Sequence, residues 1–166
     1  GDIVPLTDEN RMIATYGLQL LNNHTRPGIR LLLDKLDMTG KQITELTVSY
    51  TLVPHINASG RMGDGARAFD LLTENDEDLC AGLALELISE NIRRRETETD
   101  IYEKAKSDLM EIYNPLTYGV LVAYNKDWHQ GVLGIVASRL CDYFRRSVII
   151  LGWDGQYYKG SARSSG

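Results

Sequence analysis

"SENIRRRETETD", residues 89 to 100, carries one apolar residue, Ile92, in twelve. It lies within a stretch from Glu77 to Tyr113 that holds no proline and a single glycine, Gly82. On one side Leu79, Leu83 and Leu87 recur at helical spacing, and on the other Ile101, Ala105, Leu109 and Ile112 resume it. A helix that is apolar at both ends and polar between them either bridges two domains or turns its middle to solvent as part of a bundle. Bridging is the reading adopted here. Along the polar middle, Glu90–Arg94 and Arg94–Glu98 stand four residues apart, pairs worth about 0.3–0.5 kcal/mol each on an exposed helix.

The grammar differs on the two sides of that helix. Before it, "TDENRMIATYGLQLLNN" reads as a helix capped by Thr7, with Asp8 and Glu9 at its positive end and Met12, Ile13, Tyr16, Leu20 and Leu21 in a stripe. "RPGIRLLLDKL" starts a second, with Pro27 in its first turn. Thr44 opens a short third, "TELTVSYTLV", which Pro54 is expected to stop. "ARAFDLL" is a fourth. After "NPLT" come a strand, "YGVLVAY", a helix, "GVLGIVASRLCDYF", a second strand, "SVIILGW", an Asp-Gly turn and a returning strand, "QYYKGSAR". Strand–helix–strand with a hairpin begins an α/β domain, with sheet edges left open.

Bulk composition excludes several classes. The 166 residues are 43% apolar and 25% charged, ordinary for a globular chain, and no apolar run reaches the ~20 residues that span a bilayer. "GDIVPLTDEN" has neither the basic start nor the apolar centre of a secretion signal. Cys80 and Cys141 lie far apart without a CxxC pattern, as buried thiols in a reducing compartment do. The expected location is the cytoplasm, so the sequons at Asn23 and Asn57 are chance matches. The net charge is −5, yet residues 117–166 carry six cations and three acids. A basic C-terminal part can grip a polyanion on an acidic protein.

Three stretches carry candidate chemistry. "HINASGRMGDG", residues 55 to 65, reads as a glycine-rich loop that would let backbone N–H groups approach an anion, with Asn57 and Ser59 as neutral donors and Arg61 as a bidentate fork. It lacks the GK[ST] of a phosphate loop, and on these residues alone a helix-connecting turn with Arg61 paired to Asp64 is the favoured reading. "NKDWHQGVLGIVASRL" runs from a strand into a helix near Gly131, where α/β domains bind anions. His129 can donate there or serve structure, and Trp128 is either core or a base-stacking platform. "YYKGSARSSG" offers Lys159, Ser161, Arg163 and Ser164 as a second phosphate grip, or equally a solvated edge strand; Tyr157 and Tyr158 are expected on opposite strand faces. No hydrolytic cluster stands out, and Asp2 is alone.

Taken in order, "DIVPLTDENRMIATYGL", "RPGIRLLL", "INASGRMGD", the charged helix, "WHQGVLGIVASRL" and "KGSARS" resemble RecJ-type single-stranded-DNA exonucleases of the DHH phosphoesterase superfamily. The resemblance implies an α+β or α/β architecture in three parts. Residues 1–75 would be the helical C-terminal part of a DHH domain, 76–114 a long connecting helix, and 115–166 the first part of a DHH-associated, nucleic-acid-binding domain. It implies 5′-to-3′ hydrolysis of single-stranded DNA in repair and recombination, with two Mn2+ or Mg2+ ions, and single-stranded DNA as partner rather than a membrane. Asp2 would be a metal ligand and Arg61 would touch the scissile phosphate. Asn57, Ser59, His129, Lys159, Ser161, Arg163 and Ser164 would hold the strand. His55 stands where the family commonly has arginine. The DHH signature and further metal aspartates are absent, and two-metal hydrolysis needs several ligands to hold ions ~3.5–4 Å apart. The expectation is therefore an internal piece, catalytically silent alone. A non-catalytic binding clamp and a DHH-type oligoribonuclease or phosphatase are the alternatives.

Overall fold

Pro54, expected to end a helix, sits inside one. In the computed structural model, which describes residues 4–23, 26–112, 114 and 119–165, Thr44 caps a short helix α3 (Glu45–Thr47) by accepting the Thr47 N–H at 3.3 Å. The chain then widens into one π turn, Val48–Leu52, and returns to α geometry as α4 (Val53–Met62). The Val53 N–H donates to the Val48 carbonyl, five residues back. That wider turn clears the pyrrolidine ring, and in the first turn of the renewed α register the missing N–H of Pro54 leaves no bond unmade.

The same helix overturns the loop reading of "HINASGRMGDG". Residues 55 to 62 are helical, and the helix ends where the Gly63 N–H meets the Ser59 carbonyl at 3.0 Å. Neither Gly60, Gly63 nor Gly65 adopts the left-handed conformation that favours glycine. Asp64, offered as a partner for Arg61, accepts the Ala66 N–H at 2.9 Å and so opens α5 (Ala66–Thr73).

Two compact units divide at Asn91/Ile92, within the long helix α6 (Glu77–Ile112). The first unit holds α1 (Asp8–Asn23), α2 (Pro27–Lys35), α3, α4, α5 and the first turns of α6. Ile29, Leu32 and Leu33 of α2 share one helix face and pack with Ile43, Leu52, Ala68, Leu71, Ala84 and Leu87. The approach of α2 to α5 is set by Gly28, where an added Cβ would stand 1.8 Å from the Leu71 carbonyl oxygen. Asn22 behaves as a strand partner: its carboxamide donates to the Ile43 carbonyl and accepts the Ile43 N–H, both at 2.9 Å. Helix α1 forms as expected, but Met12, Ile13, Tyr16 and Leu20 are exposed and no α1 residue is buried. Thr7 contributes its carbonyl, which accepts the Arg11 N–H at 3.2 Å.

The second unit begins in the polar middle of α6, which is less solvated than its letters suggest. Arg94 is buried and donates to Glu98 at 2.6 Å, and Glu98 also receives Arg139 at 2.9 Å. The Arg139 guanidinium lies 4.0 Å from the Tyr102 ring centroid, a cation–π contact that fixes it further. Glu90, in the first unit, takes Arg67 of α5 as its ion-pair partner.

The strands follow as read: β1 (Val120–Asn125), α7 (Leu133–Phe144), β2 (Ser147–Trp153) and β3 (Tyr158–Arg163), with one 3-10 turn (Gln130–Val132) ahead of α7. The order is β1-β2-β3, the first pair parallel and the second an antiparallel hairpin. Leu121, Ala123, Val148 and Ile150 are buried on the face toward α7. Register places Val122 and Tyr124, Ile149 and Leu151, Trp153 and Tyr158 on the other face, where Tyr158 meets Tyr124 and Trp153 edge-on at 5.4 and 5.1 Å. Tyr157 belongs to the turn, so it does not alternate with Tyr158 along a strand.

Candidate nucleic-acid interface

Strand periodicity assembles the first part of the site. With side chains alternating, Lys159, Ser161 and Arg163 share the face of β3 that carries Ile150 and Val148 on β2, the face α7 covers. They are therefore lined up along the sheet edge beside α7. Lys159 pairs with Asp154 across the hairpin turn. Asp154 also accepts the Tyr157 and Gln156 N–H groups at 2.7 and 2.8 Å. The Lys159 bond first, then those two N–H groups, hold its carboxyl well below the ordinary carboxylate range. Arg163 donates from Nε to Ser138 of α7 at 3.1 Å and from Nη1 to the Ala162 carbonyl at 2.8 Å. Gly160 is required by packing rather than by dihedral: a Cβ there would lie 1.8 Å from the Ile150 carbonyl oxygen. Ser164 lies beyond the strand and is exposed.

The turn between β1 and α7 is tied down at several residues. Asn125 accepts the Asp127 N–H at 2.9 Å, and Gln130 donates to the Gly152 carbonyl at the same distance. The His129 Nδ1 accepts the Gly131 N–H at 3.2 Å, so this nitrogen is unprotonated and the neutral ring carries its proton on Nε2. His129 is thus a capping residue. Trp128 is 4% exposed, and Gly152 makes room for it, since a Cβ there would stand 2.5 Å from the Trp128 carbonyl oxygen. The base-stacking alternative for Trp128 is excluded by this burial. On the sheet face away from α7 the exposed aromatics are Tyr124, Trp153 and Tyr158. Each strand contributes one of them, and that they share a face follows from the pairing register, which a comparison of adjacent letters does not reach.

In the first unit, Asn57 and Arg61 stand four apart on α4, share a helix face and are exposed. Ser59 is turned the other way: it is fully buried and its hydroxyl donates to the Ile56 carbonyl at 3.1 Å. It packs the helix and does not face solvent with Arg61. His55 is buried too, its Nδ1 2.6 Å from the Thr51 carbonyl oxygen. Asp2 lies outside the described residues. Among the described residues no group of three or more His, Cys, Asp or Glu side chains is placed to hold a metal ion, so these residues do not fit a two-metal centre. No described helix is long and apolar enough to cross a membrane. Burial pushes the Cys80 thiol up, which leaves it inert.

Residues 117–166, which contain the sheet and α7, match the DHHA1 domain family. Over 99% of its length the chain is 36% identical to the single-stranded-DNA-specific exonuclease RecJ of Haemophilus influenzae and 37% identical to that of Bacillus subtilis. The chain corresponds to a segment of RecJ-type proteins. It spans 29% of the first relative and 21% of the second. A crystal structure of RecJ in complex with Mn2+ from Thermus thermophilus matches 91% of this chain with a TM-score of 0.77 at 31% identity, over 22% of that chain. A structure of exonuclease RecJ bound to manganese gives a TM-score of 0.76 over 37% of its own length. The RecJ-like architecture is α+β: helices first, then a small mixed sheet.

Proposed function

We propose that this chain is the strand-holding portion of a single-stranded-DNA-specific exonuclease that removes nucleotides from a 5′ end, in DNA repair and recombination. One observation carries the reading: the β3 register lines up Lys159, Ser161 and Arg163 beside α7, a row of donors spaced along one strand face. Arg61 and Asn57 on α4 supply a second set of exposed donors, and in this reading Arg61 neutralises a phosphate at the reacting end. His129 adds a neutral donor through Nε2, and Ser164 a hydroxyl beyond the strand. A phosphodiester backbone is the ligand such spaced, shallow, cationic groups suit.

The whole protein's hydrolysis requires a metal, Mn2+ or Mg2+ by kinship with the solved RecJ structures, with Asp2 as one ligand and the remaining ligands beyond the described residues. The chain by itself is expected to bind and not to cut, in the cytoplasm.

The test is binding of a fluorescent single-stranded oligonucleotide across a salt series, with Arg61→Ala and Arg163→Ala alongside. Each substitution should weaken binding and flatten the dependence of log affinity on log salt by about 0.7. Binding that is insensitive to both substitutions, in a chain shown to be folded, would sink the proposal. Tighter binding of dinucleotides than of long strands would favour the oligoribonuclease reading instead.

A further inference from the structure

We propose that Ser138, seated with Gly134 on α7, is a positioning residue for Arg163 and determines which edge of its guanidinium meets a phosphate. The proposal rests on the reading of Arg163 as a DNA-backbone contact. Ser138 and Gly134 are four residues apart and share a face of α7. Ser161 and Arg163 are two apart on β3 and reach that same face. Ser138 Oγ accepts from Arg163 Nε at 3.1 Å, and the Ala162 carbonyl takes Nη1 at 2.8 Å. A Cβ on residue 134 would stand 3.3 Å from Arg163 Nη2 and 3.2 Å from Ser161 Oγ. An added Cβ would thus press both side chains away from the helix by a few tenths of an ångström.

A guanidinium has five N–H groups in one plane and binds a phosphate through either the Nε–Nη2 edge or the Nη1–Nη2 edge. With Nε engaged by Ser138, the first edge is spent. Among the described residues the Nη1–Nη2 end remains, with one Nη1 hydrogen and both Nη2 hydrogens available. Ser138 also removes rotamer freedom from a long side chain before any ligand arrives, so less is lost on binding. Its hydroxyl touches no phosphate itself. It acts through Arg163.

The experiment uses this chain and a labelled single-stranded oligothymidine, with Ser138→Ala, Ser138→Thr, Arg163→Ala and the double variant Ser138→Ala/Arg163→Ala. The second readout is the nitrogen-15 NMR signal of the Arg163 Nε–H. Ser138→Ala should weaken binding about 3- to 10-fold, the loss expected when one long side chain must be immobilised on binding. It should leave the melting temperature unchanged and shift or broaden the Nε–H signal. Ser138→Thr, which keeps the hydroxyl, should restore both. In the Arg163→Ala background, Ser138→Ala should cost nothing more. The proposal is overturned if Ser138→Ala binds like wild type while Arg163→Ala does not, or if it weakens binding equally in both backgrounds. If Arg163→Ala binds like wild type, or wild type itself does not bind, the DNA-contact reading fails separately. The Nε–H signal then decides alone: unchanged in Ser138→Ala, it overturns the positioning role, and altered, it upholds it.

Discussion

Glycines 60 and 160 illustrate how one residue type carries opposite meanings. Gly60 lies inside α4 with nothing within 4 Å of where a Cβ would project, whereas at Gly160 the Cβ would strike the backbone of β2. Gly60→Ala should therefore stabilise the chain by about 0.5–1 kcal/mol through helix propensity. Gly160→Ala should destabilise it by about 1–3 kcal/mol through forced backbone movement. Urea denaturation measures both. Should Gly60 be present for a ligand's approach, its substitution will cost DNA affinity while raising stability. From the sequence these two glycines look alike, each between a serine and a basic residue. Space is a property of what folds nearby, and the Ile150 carbonyl that crowds Gly160 is remote in the chain. The same limit hides Ser59, whose burial depends on neighbours that its own letters do not name. The donors on β3 are legible, because strand alternation is a local rule.

At the scale of elements, the long helix is readable from the absence of breakers between Glu77 and Ile112, and its polar middle is readable as polar but not as buried. Glu98 joins Arg94 and Arg139 with little solvent access to itself or Arg94. Removing it takes away the carboxylate that Arg94 and Arg139 share, so Glu98→Ala should cost about 1.5–3 kcal/mol, as for hydrogen bonds to a charged group. Thermal unfolding should show this, with Glu98→Gln losing less. The β2–β3 hairpin has its own pH dependence. Because the Asp154 carboxyl is held below its ordinary range in the folded state, the stability it lends is complete above about pH 4 and is lost as pH falls further. Asp154→Asn should flatten this acid limb in a pH series of thermal melts. The π turn before Pro54 is illegible in the sequence. A proline in helical surroundings predicts a break from local sterics, and only the wider turn shows how the chain passes it without one.

Across the whole molecule, apolar letters and burial part company. The stripe of α1 contains no buried residue, while α2 places Leu32 wholly inside. Ile13→Glu should thus change stability by no more than about 0.5 kcal/mol, whereas Leu32→Ala should cost about 2–5 kcal/mol. Paired chemical denaturation curves distinguish the two. Periodicity finds a helix's apolar face, and it cannot say what lies against that face. The seat on α7 has a temporal side as well. A ribosome delivers Gly134 and Ser138 before it delivers Arg163, so α7 and the parallel strands β1 and β2 exist as nascent chain before β3 is made. The hairpin is the local, fast step, and only when β3 zips onto β2 does Arg163 swing down onto α7. Arg163 is thus set after the helix that seats it, and its bond to Ser138 marks the closing of β3 onto β2.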